Sequence, residues 1–232
     1  MKIAIANGNL LSESLKVIDV TWNNDSGRCY HGRDRMGNEI QCIRGEDIPR
    51  YVHEGNFDLG ITRLDWYTEF TVKREMEVEH FSRQMRRMNN VIENQYVVDY
   101  PPLRAAVMGE WSPQPVPRWV LAVSKDSGIT PTCFPENGRI VTRLPNLVIR
   151  HIDLHWPWLI QKVNVEHSAG TCESKVPRLA AATVCVTVSG KTLAGNNLVE
   201  ACTILESTMV ILAREKSTEV QSFVADILSR VT

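Results

Sequence analysis

The strongest chemical signal in this sequence is the segment Val188–Leu193, where an apolar stretch runs into Ser-Gly-Lys-Thr. Residues 183–188 are β-branched apart from Cys185, which predicts a buried strand, and a helix is expected from Lys191. A glycine at such a junction allows close backbone approach, while free N–H groups and the helix dipole favour an anion. This is not a full Walker loop, because Cys185 stands where that motif has a glycine, and a plain strand–helix turn is the alternative. We predict phosphate binding by Ser189, Gly190, Lys191 and Thr192.

Polar residues also cluster near other predicted strands. Phe57–Thr62 is expected to be a short buried strand, and carboxylates beside it suit ribose hydroxyls or a metal-bound phosphate. Helix capping is the alternative for Thr62 and Asp65, and an ion pair with Asp47 is the alternative for Arg44. A turn at residues 7–9 follows the strand 2–6 and forms a generic anion site or a merely structural turn. The candidates here are Asn7, Gly8, Asn9, Arg44, Asp58, Thr62 and Arg63.

The elements that must position these residues alternate between strand and helix, which predicts an α/β fold. Gly138–Thr142 is expected to be a strand, and Pro145 opens the next helix, so Thr142 becomes another binding candidate. Met209–Ala213 predicts a further strand. Apolar residues from Val220 to Val231 fall on one helical face and predict a packed amphipathic tail.

Composition excludes several classes of function. The 232 residues carry a formal net charge of −1, which does not indicate nucleic-acid binding. No apolar run approaches the roughly 18–20 residues that span a bilayer, and the first residues do not form a signal peptide. The six cysteines include no CxxC pair and fit no zinc spacing. We therefore expect a cytoplasmic protein with reduced thiols and no metal ligands of its own.

Four segments taken in order resemble the ATP phosphoribosyltransferases of histidine biosynthesis. The resemblance is clearest in Glu46–Val52, in Asp58–Thr62 and in Gly138–Thr142 followed by Pro-Asn-Leu. Residues of about 75–118 align poorly. The four segments are Met1–Leu15, Arg44–Glu69, Gly138–Arg150 and Glu173–Leu198.

The resemblance implies a two-lobed fold like that of periplasmic binding proteins, with the ligand in a cleft between the lobes. Lobe I is expected to be residues 1–98 plus 196–232, and lobe II residues 99–195, which carry the phosphate loop. The implied reaction joins a ring nitrogen of ATP to C1 of phosphoribosyl pyrophosphate, with substrate-bound magnesium and loss of pyrophosphate. The length resembles the short form, which implies a regulatory subunit similar to histidyl-tRNA synthetase; homo-oligomerisation is the alternative.

The chain departs from the family pattern at charged positions. The usual Pro-Lys-Gly-Arg turn is Ala6–Asn9 here, a family glycine is replaced by Arg63, and two family acids become Ala181 and Cys185. Each lost charge-assisted hydrogen bond costs roughly 1.5–3 kcal/mol. Glu173 and Arg63 are the candidate catalytic residues, and cations such as Lys191 favour an enzyme that uses ATP or a related N-heterocycle. The absent acids favour a catalytically impaired nucleotide- or phosphosugar-binding or regulatory subunit.

Overall fold

The computed structural model describes residues 1–23, 30–89 and 103–231, and its chain divides into two compact units. Unit 1 comprises Met1–Trp111 and Met209–Thr232, and unit 2 comprises Ser112–Thr208. Each unit has its own β-sheet. The protein is therefore α/β, with the chain entering unit 2 and returning to unit 1.

The strands and helices are as follows in chain order. The strands are β1 (Lys2–Ala6), β2 (Thr21–Trp22), β3 (His31–Arg33), β4 (Glu39–Ile43), β5 (Leu59–Arg63), β6 (Ala106–Trp111), β7 (Arg118–Ser124), β8 (Gly138–Thr142), β9 (Val163–His167), β10 (Ala182–Thr187), β11 (Leu198–Glu206) and β12 (Met209–Ala213). The α-helices are α1 (Leu11–Leu15), α2 (Ile48–Glu54), α3 (Leu64–Asn89), α4 (Pro145–His155), α5 (Lys191–Gly195) and α6 (Thr218–Ser229).

The sheet of unit 1 has the order β2-β3-β4-β1-β5-β12-β6, and β1 is parallel to both β4 and β5. The chain goes from β1 to β4 on one side and then crosses over to β5 on the other. The strand order therefore reverses around β1, and ligands of α/β sheets bind outside the carboxyl ends of the strands at such a point.

Strand β1 is buried on both faces. Ile3 and Ile5 belong to a core cluster that includes Phe223 of α6, whereas Ala4 and Ala6 pack in a second cluster with Ile48 of α2. Successive side chains of a strand point to opposite faces, so alternate apolar residues of β1 are buried in the two clusters. Polar chemistry is consequently confined to the ends of the strand.

Helix α2 has the boundary residues that the sequence predicts, but its N-cap residue makes a different interaction from the one expected. Pro49 lies in its first turn, and Gly55 ends it in the left-handed region with φ 85°. Asp47 occupies the N-cap position, but its side chain makes no capping hydrogen bond. It lies instead 3.6 Å from the guanidinium of Arg50, so its contribution is an exposed ion pair.

The sheet of unit 2 has the order β11-β7-β10-β8-β9, in which β8, β9 and β10 are parallel. Helix α4 packs on β8 and β9. A buried cluster that includes Cys172, Cys185 of β10 and Leu193 of α5 forms another part of the core. Strands β8 and β10 are neighbours, so the residues that follow them lie at the same edge of the sheet.

The unit boundaries differ from those expected from the sequence. The expected boundary at residues 98/99 falls outside the described residues, and the expected boundary at 195/196 lies before β11. Strand β11 pairs with β7 and belongs to unit 2, whereas β6 pairs with β12 and belongs to unit 1. The pairing of these strands across long sequence separations decides the division, and local composition does not reveal it. No helix within the described part of the chain is both long enough and apolar enough to cross a membrane.

A substitution at Gly60 tests how tightly α2 packs on β5. A Cβ at Gly60 would lie 2.4 Å from Ile48 Cγ2 and 2.8 Å from Val52 Cγ2. We expect Gly60→Ala to lower the free energy of unfolding by about 1–3 kcal/mol, because the buried interface has no space for the added methyl group. Urea denaturation measures the change. Gly195→Ala is the control, since a Cβ there meets nothing within 4 Å. Equal stability of the two variants would contradict this packing.

Candidate functional site

The predicted phosphate loop lies between β10 and α5, as the sequence indicates. Gly190 has φ 73°, and a Cβ added there would meet nothing within 4 Å. The turn therefore requires glycine for its backbone conformation rather than for space. The Gly190 N–H donates to Thr187 Oγ1 at 3.1 Å, which ties the turn to the end of the strand.

The groups that the loop presents are suited to an anion. Ser189, Lys191 and Thr192 are exposed, and Lys191 begins α5. The first N–H groups of a helix have no intrahelical acceptor, so they remain available to a ligand. Two hydroxyls, one ammonium and backbone N–H groups are thus gathered within four consecutive residues, a set that matches phosphate oxygens.

Thr142 lies at the carboxyl end of β8, level with Val184 of the neighbouring strand β10. It is fully buried, and its Oγ1 accepts a hydrogen bond from the Leu144 N–H at 3.1 Å. Thr142 is therefore level with a residue five positions before the loop, and its hydroxyl is engaged in the turn that leads to α4.

Glu173 lies in a 3-10 helical turn, Glu173–Lys175, near the Cys185 thiol of β10. Burial is the largest cause that raises the pKa of Cys185, and the negative charge of Glu173 raises it further. The thiol is therefore neutral at physiological pH. Lys175, in the same turn, donates to the hydroxyl of the buried Ser168. Glu173 thus places a carboxylate near Cys185, whose side chain is uncharged.

In unit 1, the turn at Asn7–Asn9 follows the carboxyl end of β1. The Asn7 N–H donates to the Ile43 carbonyl at 2.8 Å, which ties the turn to the end of β4. Gly8 has φ 64° and open space around it, and Asn9 is exposed. Arg44 follows β4 and is 74% exposed, with its Nη1 3.4 Å from Glu46 Oε1. These residues share one edge of the sheet.

The end of β5 lies at the same edge and is held by internal bonds. Thr62 is fully buried, and its Oγ1 donates to the Gly45 carbonyl at 2.8 Å. Its hydroxyl thereby joins β5 to the loop after β4. Arg63 forms an ion pair with Asp65, which is fully buried.

Asp58 does not join this group. It precedes β5, where its Oδ2 accepts from the Lys2 N–H at 2.8 Å and its own N–H donates to the Lys2 carbonyl at 2.9 Å. Arg63 lies five residues further along the chain, about 16 Å away at the usual rise of a strand. The sequence prediction grouped Asp58 with Thr62 and Arg63, but the strand puts them at opposite ends.

Two contacts at these sites were not predicted from the sequence. One is the ion pair between Arg63 and Asp65, for which the i, i+2 spacing of opposite charges is a weak signal. The other is the closeness of Glu173 to Cys185, residues from different segments with no local pattern that joins them.

Solved structures establish the class of fold. The chain superimposes with a TM-score of 0.67 on the ATP phosphoribosyl transferase (HisG:HisZ) complex from Thermotoga maritima, at 22% identity, covering 100% of this chain and 98% of that chain. It superimposes with a TM-score of 0.55 on the alkanesulfonate-binding protein SsuA from Xanthomonas axonopodis pv. citri, at 10% identity, covering 100% and 71%. The predicted two-lobed fold of the periplasmic-binding-protein type is confirmed.

Sequence relatives establish the family. The family model for HisG, ATP phosphoribosyltransferase, matches residues 44–232. The ATP phosphoribosyltransferase of Pelotomaculum thermopropionicum is 31% identical over 179 residues, covering 77% of this chain and 51% of the relative. That of Desulforudis audaxviator is 34% identical over 169 residues, covering 73% and 48%. The chain belongs to the ATP phosphoribosyltransferase family, as its sequence resemblance predicted, and it spans about half the length of these curated relatives.

The contact between Glu173 and Cys185 can be tested by thiol alkylation. The thiolate is the reactive form, so we expect iodoacetamide at pH 8 to modify exposed Cys133 well before Cys185. Glu173→Gln should accelerate modification of Cys185, because the adjacent negative charge is removed, as measured by peptide mass spectrometry. Glu136→Gln, which changes an acid paired with Lys162, is the control. An unchanged rate in Glu173→Gln would contradict the contact.

Proposed function

We propose that the chain is a phosphoribosyltransferase that moves a 5-phosphoribosyl group from phosphoribosyl pyrophosphate to a ring nitrogen of ATP or a related N-heterocycle. The observation that carries the proposal is the loop Ser189–Thr192, in which a glycine-dependent turn exposes an ammonium and two hydroxyls at the start of a helix. Membership of the family supports the same reaction.

In this proposal the loop holds the 5-phosphate of the donor. Lys191 supplies charge, and Ser189, Thr192 and the N–H groups supply hydrogen bonds. The reaction needs the ring nitrogen aligned with C1 and the leaving pyrophosphate stabilised, and both are tasks of positioning and electrostatics. A loop that holds the 5-phosphate limits the movement of the ribose and so helps to align C1 with the ring nitrogen.

Glu173 is proposed to accept hydrogen bonds from the ribose hydroxyls. Where the family pattern has acids, this chain has Ala181 and Cys185, so a carboxylate must come from another segment. Glu173 lies close enough to Cys185 for its negative charge to raise the pKa of that thiol, so its carboxylate is near this position of the strand. An ionised carboxylate has lone pairs that can accept from a ligand hydroxyl.

Magnesium is proposed to arrive on the pyrophosphate of the donor. No group of three or more metal-ligating side chains occurs among the residues that the structure describes. Mg²⁺ commonly binds through substrate phosphates and water with only one or two carboxylates, so a cage made by the protein is not required. Magnesium would supply charge neutralisation of the pyrophosphate, while the residues of the chain bind and orient the ribose phosphate.

For the assembly, we propose a cytoplasmic oligomer that includes a regulatory subunit resembling histidyl-tRNA synthetase, with a homo-oligomer as the alternative. The support is the family itself and the fold shared with a chain of the ATP phosphoribosyl transferase (HisG:HisZ) complex. Size-exclusion chromatography with light scattering, alone and with such a subunit, separates the two assemblies.

The second candidate function is a catalytically impaired nucleotide- or phosphosugar-binding subunit. Cys185 favours it, because a neutral, buried thiol cannot replace a carboxylate that contacts the donor. Incubation with ATP, phosphoribosyl pyrophosphate and magnesium, followed by the absorbance of the product, separates the two functions. Turnover comparable to that of ordinary family members excludes the impaired subunit, and binding of both substrates without turnover excludes the ATP-linked enzyme.

Lys191 provides the mutational test of the loop. We expect Lys191→Ala to weaken binding of ribose 5-phosphate by about 10-fold to 100-fold in calorimetry, because a charge-assisted hydrogen bond is worth roughly 1.5–3 kcal/mol. Lys162→Ala is the matched control, since this lysine also lies in unit 2 but pairs with Glu136 at 3.1 Å. If Lys191→Ala binds as tightly as the control, the loop does not hold the phosphate.

A further inference from the structure

Arg63 stands level with the predicted anion-binding turn of unit 1. Ile5 of β1 is opposite Ile61 of β5, so two residues further along, Arg63 is beside Asn7. On the other side of β1, Ala6 is opposite Ile43, which brings Arg44 level with Asn7. Neighbouring strands are about 4.8 Å apart, so an uncharged turn is flanked by two arginine positions at the carboxyl ends of the strands.

The side chain of Arg63 is unusual for an arginine at the end of a strand because it is only 11% exposed, and its partner Asp65 is fully buried. A buried charge is tolerated only with a partner and hydrogen bonds, so neither residue can be removed alone without cost. The pair is therefore a fixed feature of the junction between β5 and α3.

The geometry of the pair leaves one edge of the guanidinium unused. Arg63 donates from Nε at 2.9 Å and from Nη2 to the same oxygen, Asp65 Oδ2, while Oδ1 accepts from the Trp66 N–H at 2.7 Å. Within residues 1–23, 30–89 and 103–231, no acceptor contacts Arg63 Nη1. Among the same residues, Trp111 Nε1 is the side-chain polar atom that is both fully buried and without a hydrogen-bond partner. Arg63 Nη1 also has no partner there, so it is not fully buried and is accessible to a ligand.

We propose that Asp65 is a positioning residue that holds Arg63 so that Nη1 donates to an oxygen of a polyphosphate. This inference rests on the proposed function, in which both substrates carry polyphosphate. A guanidinium stays charged and presents donors in a fixed plane that matches phosphate oxygens. It contributes more to ligand binding when its orientation is fixed before the ligand arrives. The Asn7–Asn9 turn supplies backbone groups but no charge, and Arg63 supplies the charge from the adjacent strand.

The test measures binding of inorganic pyrophosphate by calorimetry alongside the free energy of unfolding. Arg63→Met with Asp65→Asn removes both charges with little change in volume and keeps a side-chain oxygen that can accept from the Trp66 N–H. We expect this double variant to fold and to bind pyrophosphate about 10-fold or more weakly. Arg63→Lys keeps the charge but loses the planar edge, and we expect it to fold and to bind more weakly as well.

The matched control is Asp226→Asn with Arg230→Gln, which removes the 2.6 Å ion pair of α6 and should leave pyrophosphate binding unchanged. Pyrophosphate binding equal to that of the wild type in the double variant or in Arg63→Lys would overturn the inference, because the pair would then be only structural. A wild-type protein that binds no pyrophosphate would also overturn it, whereas the fate of the proposed function is decided separately by the transfer assay.

Steady-state kinetics of Arg63→Lys identify which substrate carries the polyphosphate. A rise in KM for phosphoribosyl pyrophosphate with kcat and the KM for ATP unchanged assigns Nη1 to the pyrophosphate of the donor. A rise in the KM for ATP alone assigns it to the triphosphate. Either result supports the inference, and kinetics unchanged in both substrates would overturn it.

Discussion

The central parallel strands of both units are covered by apolar side chains, and this burial decides where chemistry can occur. In β1, Ile3 and Ile5 face one core and Ala4 and Ala6 face another, so the strand has no surface left for a ligand. In β10, residues 182–185 are buried. Exposed polar side chains therefore become available in the turns that follow these strands, at Asn9 and at Ser189–Thr192.

Each unit places a charged side chain near an uncharged position of a central strand or of the turn that follows it. In unit 2, the neutral Cys185 lies next to the carboxylate of Glu173, which belongs to a separate turn. In unit 1, Asn7 lies level with Arg63 of the neighbouring strand. Relative to the family pattern, the charges at residues 7, 9, 181 and 185 are absent, but Arg63 lies level with residue 7 and Glu173 lies near residue 185. Under the proposed function, this relocation is how a divergent member of the family could retain phosphoribosyl transfer.

Most elements near the site could be predicted because their signals are local. The β-branched run before Ser189, the Pro49 and Gly55 boundaries of α2 and the amphipathic tail helix each follow from residues adjacent in sequence. Asp58 shows the limit of that approach. Its closeness in sequence to Thr62 suggested one cluster, but a strand of five residues puts them at opposite edges. The boundaries of the two units also differ from those expected, because the pairings of β6 with β12 and of β11 with β7 join residues far apart in sequence.

The sequence by itself determined the α/β class, the family and the glycine turn between β10 and α5, because strand burial, helix boundaries and a glycine-dependent turn depend on side chains within a few residues. Only the tertiary structure decided which candidate side chains remain available to a ligand. Thr62 and Thr142 use their hydroxyls in buried turns, Arg63 is held by Asp65, and Glu173 reaches Cys185. Hydrogen bonds and ion pairs act over a few ångströms, so these partners are set by the order of strands in the sheet and by the path of the loops, which no local pattern specifies.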